Sequence, residues 1–339
     1  MTTSIYYPTA LSGISLRRRA SSALGSLTVP ARGLTALTCC AAMMACESAS
    51  PPLTVTNAAA LGPAFRALGD EMVRSHAIPA FAQENAPSLE VIRSMTELGK
   101  VSDVLAVADV RLLDSLVVPK FSRWYLIFAS NAMVLAYGEH SRHQAEIGRE
   151  PWYLLLQRAD IRVGRSDPRV DPSGYRALLS IQLAERHYRV PGLAGALLKA
   201  MPDRDMRRAE ADLSALVESG ELDYIWTYRN LARAHGLRWI ELPPEVNLES
   251  PDLAAWYDSA SVRVETSRGT LVVRGAPILF GLTIPRRAPS PALGNAFVLA
   301  LLSKAGIEAA AKGGLTVLRM PLLIGDSIPA AIASAVRTR

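Results

Sequence analysis

Asp171-Pro172-Ser173-Gly174-Tyr175-Arg176 is the stretch of this 339-residue chain whose residue types and order could do chemistry. Residues 161–164 before it alternate like a short strand. Residues 177–188 after it carry Leu178, Ile181, Leu183 and Ala184 at helical spacing. The stretch is therefore a strand-to-helix turn. The first N–H groups of a helix have no partner within the helix and carry the positive end of its dipole, which suits an anion. Pro172 fits the first helical turn, Gly174 would let the backbone approach a ligand, and Asp171 stands at the N-cap. By spacing alone Asp171 reads as a cap. Glu210 lies in the charge run at residues 203–212, which by composition is a solvated helix face, and Tyr228 by itself reads as a half-buried core tyrosine. His140 and His143 are three apart, but in a loop-like segment without cysteine, which reads as solvent-exposed. The sequence has no nucleophile elbow, nucleotide loop or metal-ligand cluster, which argues against an enzyme using Asp171 and Glu210 as an acid–base pair.

Around this turn the chain alternates strand and helix. Residues 53–57 alternate as a strand, residues 58–72 place Phe65, Leu68 and Met72 on one helical face, and residues 80–85 are extended. Ser88 would cap a helix over residues 89–98. Residues 103–109 form a near-continuous apolar run, as in a buried parallel strand. The pattern predicts an α/β architecture with open, mostly parallel sheets. Two further apolar runs, residues 124–138 and 277–285, read as crossings between lobes. They put lobe one at 53–133 and 277–330 and lobe two at 134–276, with a hinge and a ligand cleft between them. Three helix starts would face that cleft: Ala58-Ala59-Ala60, Pro87-Ser88 and Pro172-Ser173-Gly174. Well-made hydrogen bonds to a charged acceptor contribute about 1.5–3 kcal/mol each, so neutral donors can hold a small dianion.

Half of the residues are hydrophobic and 20% are charged, an ordinary composition for one large or two medium domains. The net charge of +6 includes Arg17, Arg18, Arg19 and Arg32 of residues 1–46, which contain no Asp, Glu or Lys. Without those four the remainder carries +2, and a nucleic-acid partner loses its main support. Residues 1–46 read as an export signal, with an apolar run at 34–45 that is too short to span a bilayer. The run ends Met43-Met44-Ala45-Cys46, which resembles a lipoprotein cleavage site, and Cys39, Cys40 and Cys46 are the only cysteines. Residues 47–52 have the composition of a tether. The expectation is a monomer in the periplasm or at the cell surface, touching the membrane only through a lipid on Cys46.

The turn at 171–176, residues 207–237 (RRAEADLSALVESGELDYIWTYRNLARAHGL) and residues 241–250 (ELPPEVNLES) together resemble the molybdate/tungstate-binding proteins of ABC importers. The subgroup they resemble most is the tungstate-binding WtpA type, related to ModA. The resemblance runs from about residue 53 to about residue 311, and residues 192–208 are shorter than the matching family segment. It implies a two-lobed, type II periplasmic-binding-protein fold, a molybdate or tungstate ligand, an ABC permease as partner, and no resident cofactor.

The resemblance also implies a ligand set. Ala59 and Ala60 stand where the family's first motif ends in Gly-Ser, and Ser88, preceded by Pro87 at the same helix start, matches the serine that ends its second. Asp171, followed by Ser173, matches one metal-ligating carboxylate. Glu210 matches the other, eighteen residues before the ligand-contacting Tyr228. Molybdenum(VI) and tungsten(VI) can expand from four to six oxygen ligands, so Asp171 and Glu210 would bind the metal while N–H groups hold the oxo atoms. Against sulfate the same carboxylates would repel. Ala60 removes one hydroxyl donor, and Asn57 and Val107 also depart from common family residues at the wall. The alternative is the same fold serving sulfate or a small organic anion.

Overall fold

The crossing expected at residues 124–138 resolves into two strands with two residues between them, and this short connection organises the molecule. The computed structural model describes residues 51–338 except Ser267 and Arg268; Cys46, the expected export signal and most of the expected tether lie outside the described residues. The chain opens with β1 (Leu53–Ala58), a 3-10 turn (Ala59–Leu61), α1 (Gly62–Arg74), β2 (Phe81–Ala86), α2 (Ser88–Thr96), β3 (Val104–Val107), α3 (Val110–Leu116) and β4 (Trp124–Ser130). After Asn131 and Ala132 come β5 (Met133–Tyr137), α4 (Trp152–Leu155), β6 (Val163–Ser166), α5 (Pro172–Tyr188), α6 (Leu193–Lys199) and β7 (Met206–Arg207). Then follow α7 (Glu210–Glu218), β8 (Tyr224–Tyr228), α8 (Arg229–Ala234), β9 (Arg238–Ile240), α9 (Pro244–Asn247) and α10 (Ala254–Tyr257). The hairpin β10 (Ser261–Thr266) and β11 (Gly269–Arg274) precedes β12 (Leu279–Thr283), α11 (Pro291–Leu302), α12 (Lys304–Lys312), β13 (Thr316–Gly325) and α13 (Ala330–Arg337).

Two mixed sheets result, in the orders β13-β4-β12-β3-β1-β2 and β7-β6-β8-β5-β9, with the hairpin separate. The expectation of mostly parallel sheets is corrected. β1 pairs in parallel with β2 and β3, and β6 with β7 and β8, whereas every pairing of β4, β5 and β12 is antiparallel. Parallel neighbours need a long crossover, usually a helix. β4 and β5 have none: the chain runs straight from one sheet into the other, and β12 brings it back in the opposite sense. The two passages touch, because the Asn131 N–H donates to the Ile278 carbonyl at 3.2 Å and the Ile278 N–H to the Leu248 carbonyl at 2.8 Å. α13 packs on α11 and β13, so the first half continues past residue 330.

Each sheet has its own aromatic core. Phe65 of α1 meets Phe128 of β4 at 5.9 Å and Phe297 of α11 at 5.0 Å between ring centroids. In the second half Trp226 of β8 meets Trp152 edge-on at 5.8 Å. All of these but Trp152 are fully buried, and each buried side chain of this size contributes about 1.5–3 kcal/mol. These cores hold β8, α5 and α7 in place, and Asp171, Glu210 and Tyr228 lie at the ends of those elements.

Candidate functional site

Asp171 caps α5 as its spacing predicts, but only half of its carboxylate does so. Oδ1 accepts the Ser173 N–H at 3.0 Å, and Oδ2 accepts the N–H of Glu210, the first residue of α7, at 3.1 Å. The two helix starts are thereby joined. Glu210 is 1% exposed, not a member of a solvated face. It shares a helical face with Leu213, Ser214 and Val217, all buried, so the inward face of α7 begins with a carboxylate. Glu210 Oε1 accepts from Thr227 Oγ1 and from the Tyr228 N–H, both at 2.5 Å. Its Oε2 and the Ser173 hydroxyl are buried and make no well-formed hydrogen bond, although the hydroxyl lies close enough to the Glu210 carboxylate to favour its charged form.

The electrostatics of the pair are adverse. Burial raises the Asp171 pKa, aided by the charge of Asp167, against N–H donation from Ser173 and Glu210 and the charge of Arg176. Burial likewise raises Glu210, with Asp171 adding to the rise, against donation from Thr227, the Tyr228 N–H and the Ser173 hydroxyl. Both folded pKa values thus exceed their unfolded values, so the folded state binds more protons than the unfolded one. Stability from this source is fully present below the ordinary carboxylate range and is lost as pH rises toward the elevated values. The expected result is that the melting temperature of the empty protein falls between about pH 5 and pH 8 relative to a Glu210→Gln variant, with the gap widening as pH rises. Thermal melts of the two proteins across that range check it.

Tyr228 ends β8 and is fully buried rather than half-buried. Its ring packs edge-on against Phe280 at 5.7 Å, and its hydroxyl oxygen accepts from Arg176 Nη1 at 2.6 Å. Arg176 also donates to the Ala108 carbonyl at 2.6 Å, and its Nη2 lies 3.4 Å from Asp109. The Tyr175 hydroxyl donates to Asp109 at 2.7 Å. Burial would raise the Asp109 pKa, but the charge of Arg176 and the bonds and charge of Arg111 outweigh it and hold the group down at about 2. Tyr175, Arg176 and Asp109 connect α5 of the second half to the start of α3 in the first. Sequence reading missed them as site residues. The signal available was a Tyr-Arg pair on the first turn of a helix that is otherwise mostly apolar inward.

The remaining expected residues take different places. Residues 58–60 do not start an α-helix: Ala59 and Ala60 lie in the 3-10 turn, α1 begins at Gly62, and the Ala60 carbonyl accepts from Asn230 Nδ2 at 2.7 Å. α7 packs against that turn, so Ala59 and Ala60 do sit beside the helix of Glu210. Ser88 is not a cap. Pro87 holds the N-cap position, and the Ser88 hydroxyl accepts the Ala108 N–H at 3.1 Å, tying α2 to the end of β3. Gly174 does not make room for a ligand. A Cβ there would stand 2.5 Å from the Ser166 carbonyl oxygen and 2.6 Å from the Pro168 nitrogen, so the close approach is to the segment leading into α5. His140 is exposed, while His143 pairs with Asp160 at 2.7 Å; among the described residues no group of three or more His, Cys, Asp or Glu is arranged to hold a metal ion.

The family model for bacterial extracellular solute-binding proteins matches residues 53–316. An uncharacterized solute-binding protein of Petrotoga mobilis is 35% identical over 266 residues, covering 78% of this chain and 83% of its own. The molybdate/tungstate-binding protein WtpA of Pyrococcus abyssi is 33% identical over 280 residues, covering 76% of this chain and 80% of its own. Among solved structures, the periplasmic molybdate-binding protein of Azotobacter vinelandii aligns with a TM-score of 0.56 at 14% identity, over 79% of this chain and 100% of that one. This likeness bears out the two-lobed, type II periplasmic-binding-protein fold expected from the sequence. By a family match over most of its length and by these relatives, the chain belongs to the bacterial extracellular solute-binding proteins.

Proposed function

We propose that the protein captures molybdate or tungstate outside the cytoplasm and passes it to an ABC permease, the metal centre being held between Asp171 and Glu210. The observation that carries this reading is the meeting of two buried carboxylates at the starts of α5 and α7, with Glu210 Oε2 and the nearby Ser173 hydroxyl left without a well-formed hydrogen bond. Sulfate or phosphate would meet repulsion there, because their central atoms accept no carboxylate ligands. A molybdenum or tungsten centre accepts hard oxygen donors, and its positive charge offsets the adverse burial of both groups. The Ser173 hydroxyl and Tyr228 would serve the oxo atoms, with Ala59, Ala60, Pro87 and Ser88 on the facing side. The WtpA relative supports the choice of oxyanion. In this reading the protein is a carrier and not an enzyme. A lipid on Cys46 and a monomeric state belong to the same proposal.

Titration calorimetry with tungstate, molybdate, sulfate and phosphate tests it. The expected result is saturable binding of the first two and silence from the last two. Sulfate binding as strong as tungstate binding would remove carboxylate coordination from the site and favour the alternative ligand class.

A further inference from the structure

Arg176 is placed to do more than pair with Asp109. Its Nη1 reaches both the Ala108 carbonyl and the Tyr228 hydroxyl oxygen. A guanidinium has donors only, so the sense of the second bond is fixed. Tyr228 accepts, and its own proton must point elsewhere. Among the described residues that hydroxyl makes no other hydrogen bond. The tyrosine is also held at both ends: its N–H is bound to Glu210 Oε1, and its ring lies between Phe280 and the guanidinium, which stands 5.6 Å from the ring centroid. A buried donor with a packed ring and no acceptor for its proton is suited to an incoming acceptor.

The second bond of Arg176 adds a condition. Ala108 belongs to the β3–α3 connection of the first half, whereas Arg176 and Tyr228 belong to the second. Parting the halves would take the Ala108 carbonyl and the Asp109 carboxylate away from Arg176 and release the guanidinium.

We infer that Arg176 is a positioning residue for the oxyanion: it turns the Tyr228 proton toward the oxo atoms, and does so only while the two halves are together. This rests on the oxyanion reading above. Tyr228 is then a donor of the closed form, and release of the cargo begins with the loss of that donor rather than with a change in the carboxylates.

A double-mutant cycle in tungstate affinity tests it, using the protein, Arg176→Gln, Tyr228→Phe and the double variant, with melting temperatures recorded alongside. Each single substitution is expected to weaken binding about tenfold, and the double variant to be within about twofold of Tyr228→Phe, because Arg176 acts through the hydroxyl. Arg176→Gln is expected to act mainly by speeding dissociation. An equal loss from Arg176→Gln with and without the Tyr228 hydroxyl would reduce Arg176 to a structural role and overturn the inference, as would wild-type binding by Arg176→Gln. Should that variant not fold, Arg176→Lys enters the same cycle, since it keeps the buried charge while its nitrogen ends one bond short of the Nη1 position that reaches both acceptors. A wild-type protein that binds no tungstate would overturn the oxyanion reading and this inference with it, whereas wild-type binding with an additive cycle would overturn this inference alone.

Discussion

Glu210→Gln is expected to weaken tungstate binding at least about a hundredfold, roughly 2.7 kcal/mol, while leaving the empty protein as stable as wild type or more so. The two signs have one cause. Glu210 Oε2 is buried with no well-formed hydrogen bond, and burial and the neighbouring Asp171 raise the pKa of the group. A glutamine keeps the oxygen that accepts from Thr227 and the Tyr228 N–H, and it removes a charge whose burial the surrounding donors do not offset. Asp171→Asn is expected to cost as much in binding but to destabilise the fold by about 1 kcal/mol, because one of the two N–H groups at Ser173 and Glu210 loses its acceptor. Calorimetry and thermal melts at two pH values separate these effects. A Glu210→Gln protein that binds tungstate like wild type would refute carboxylate coordination.

Gly174→Ala is expected to destabilise the protein by about 3 kcal/mol and to lower its melting temperature by roughly 5–10 °C. The new methyl would lie 2.5 Å from the Ser166 oxygen, 2.6 Å from the Pro168 nitrogen and 2.7 Å from the Asp167 carbonyl carbon. All three are backbone atoms, so no side chain can rotate away; α5 must shift, and Asp171 at its cap shifts with it. Binding should therefore weaken too. Gly195, within α6, is the internal control, because a Cβ there meets nothing within 4 Å. Gly195→Ala should stabilise slightly, by about 0.5–1 kcal/mol, through helix propensity. Equal melting temperatures for wild type and Gly174→Ala would show that the Ser166–Pro168 backbone yields freely.

Local patterns were legible in the sequence, and long-range ones were not. The turn before α5, the cap at Asp171 and the two passages between sheets follow from spacing, Pro and Gly placement and apolar runs. The burial of Glu210 does not: a charge run is solvated unless something anchors its helix start inside, and here the Glu210 N–H donates to the carboxylate that caps another helix. Ser88 looks like a cap because serine usually caps, yet the end of β3 supplies an N–H that competes for its hydroxyl. Gly174 suggests space for a ligand, and only the folded packing shows that its own preceding segment fills the space. Asp109, Tyr175 and Arg176 are far apart or unremarkable in sequence, and their connection exists only once the halves meet. The antiparallel pairing of β4, β5 and β12 joins strands far apart in the chain, a property of connectivity rather than of any strand's composition.

The bond from the Glu210 N–H to Asp171 joins residues 39 positions apart in the chain. It sets the start of α7 from the start of α5 directly, without reference to the path between them. Residues 189–205 can therefore lengthen or shorten over evolutionary time with the geometry of the carboxylate pair preserved. Insertions and deletions should accumulate among relatives in that interval, and a sequence could be recognised by the two ends of the interval even where its middle no longer aligns.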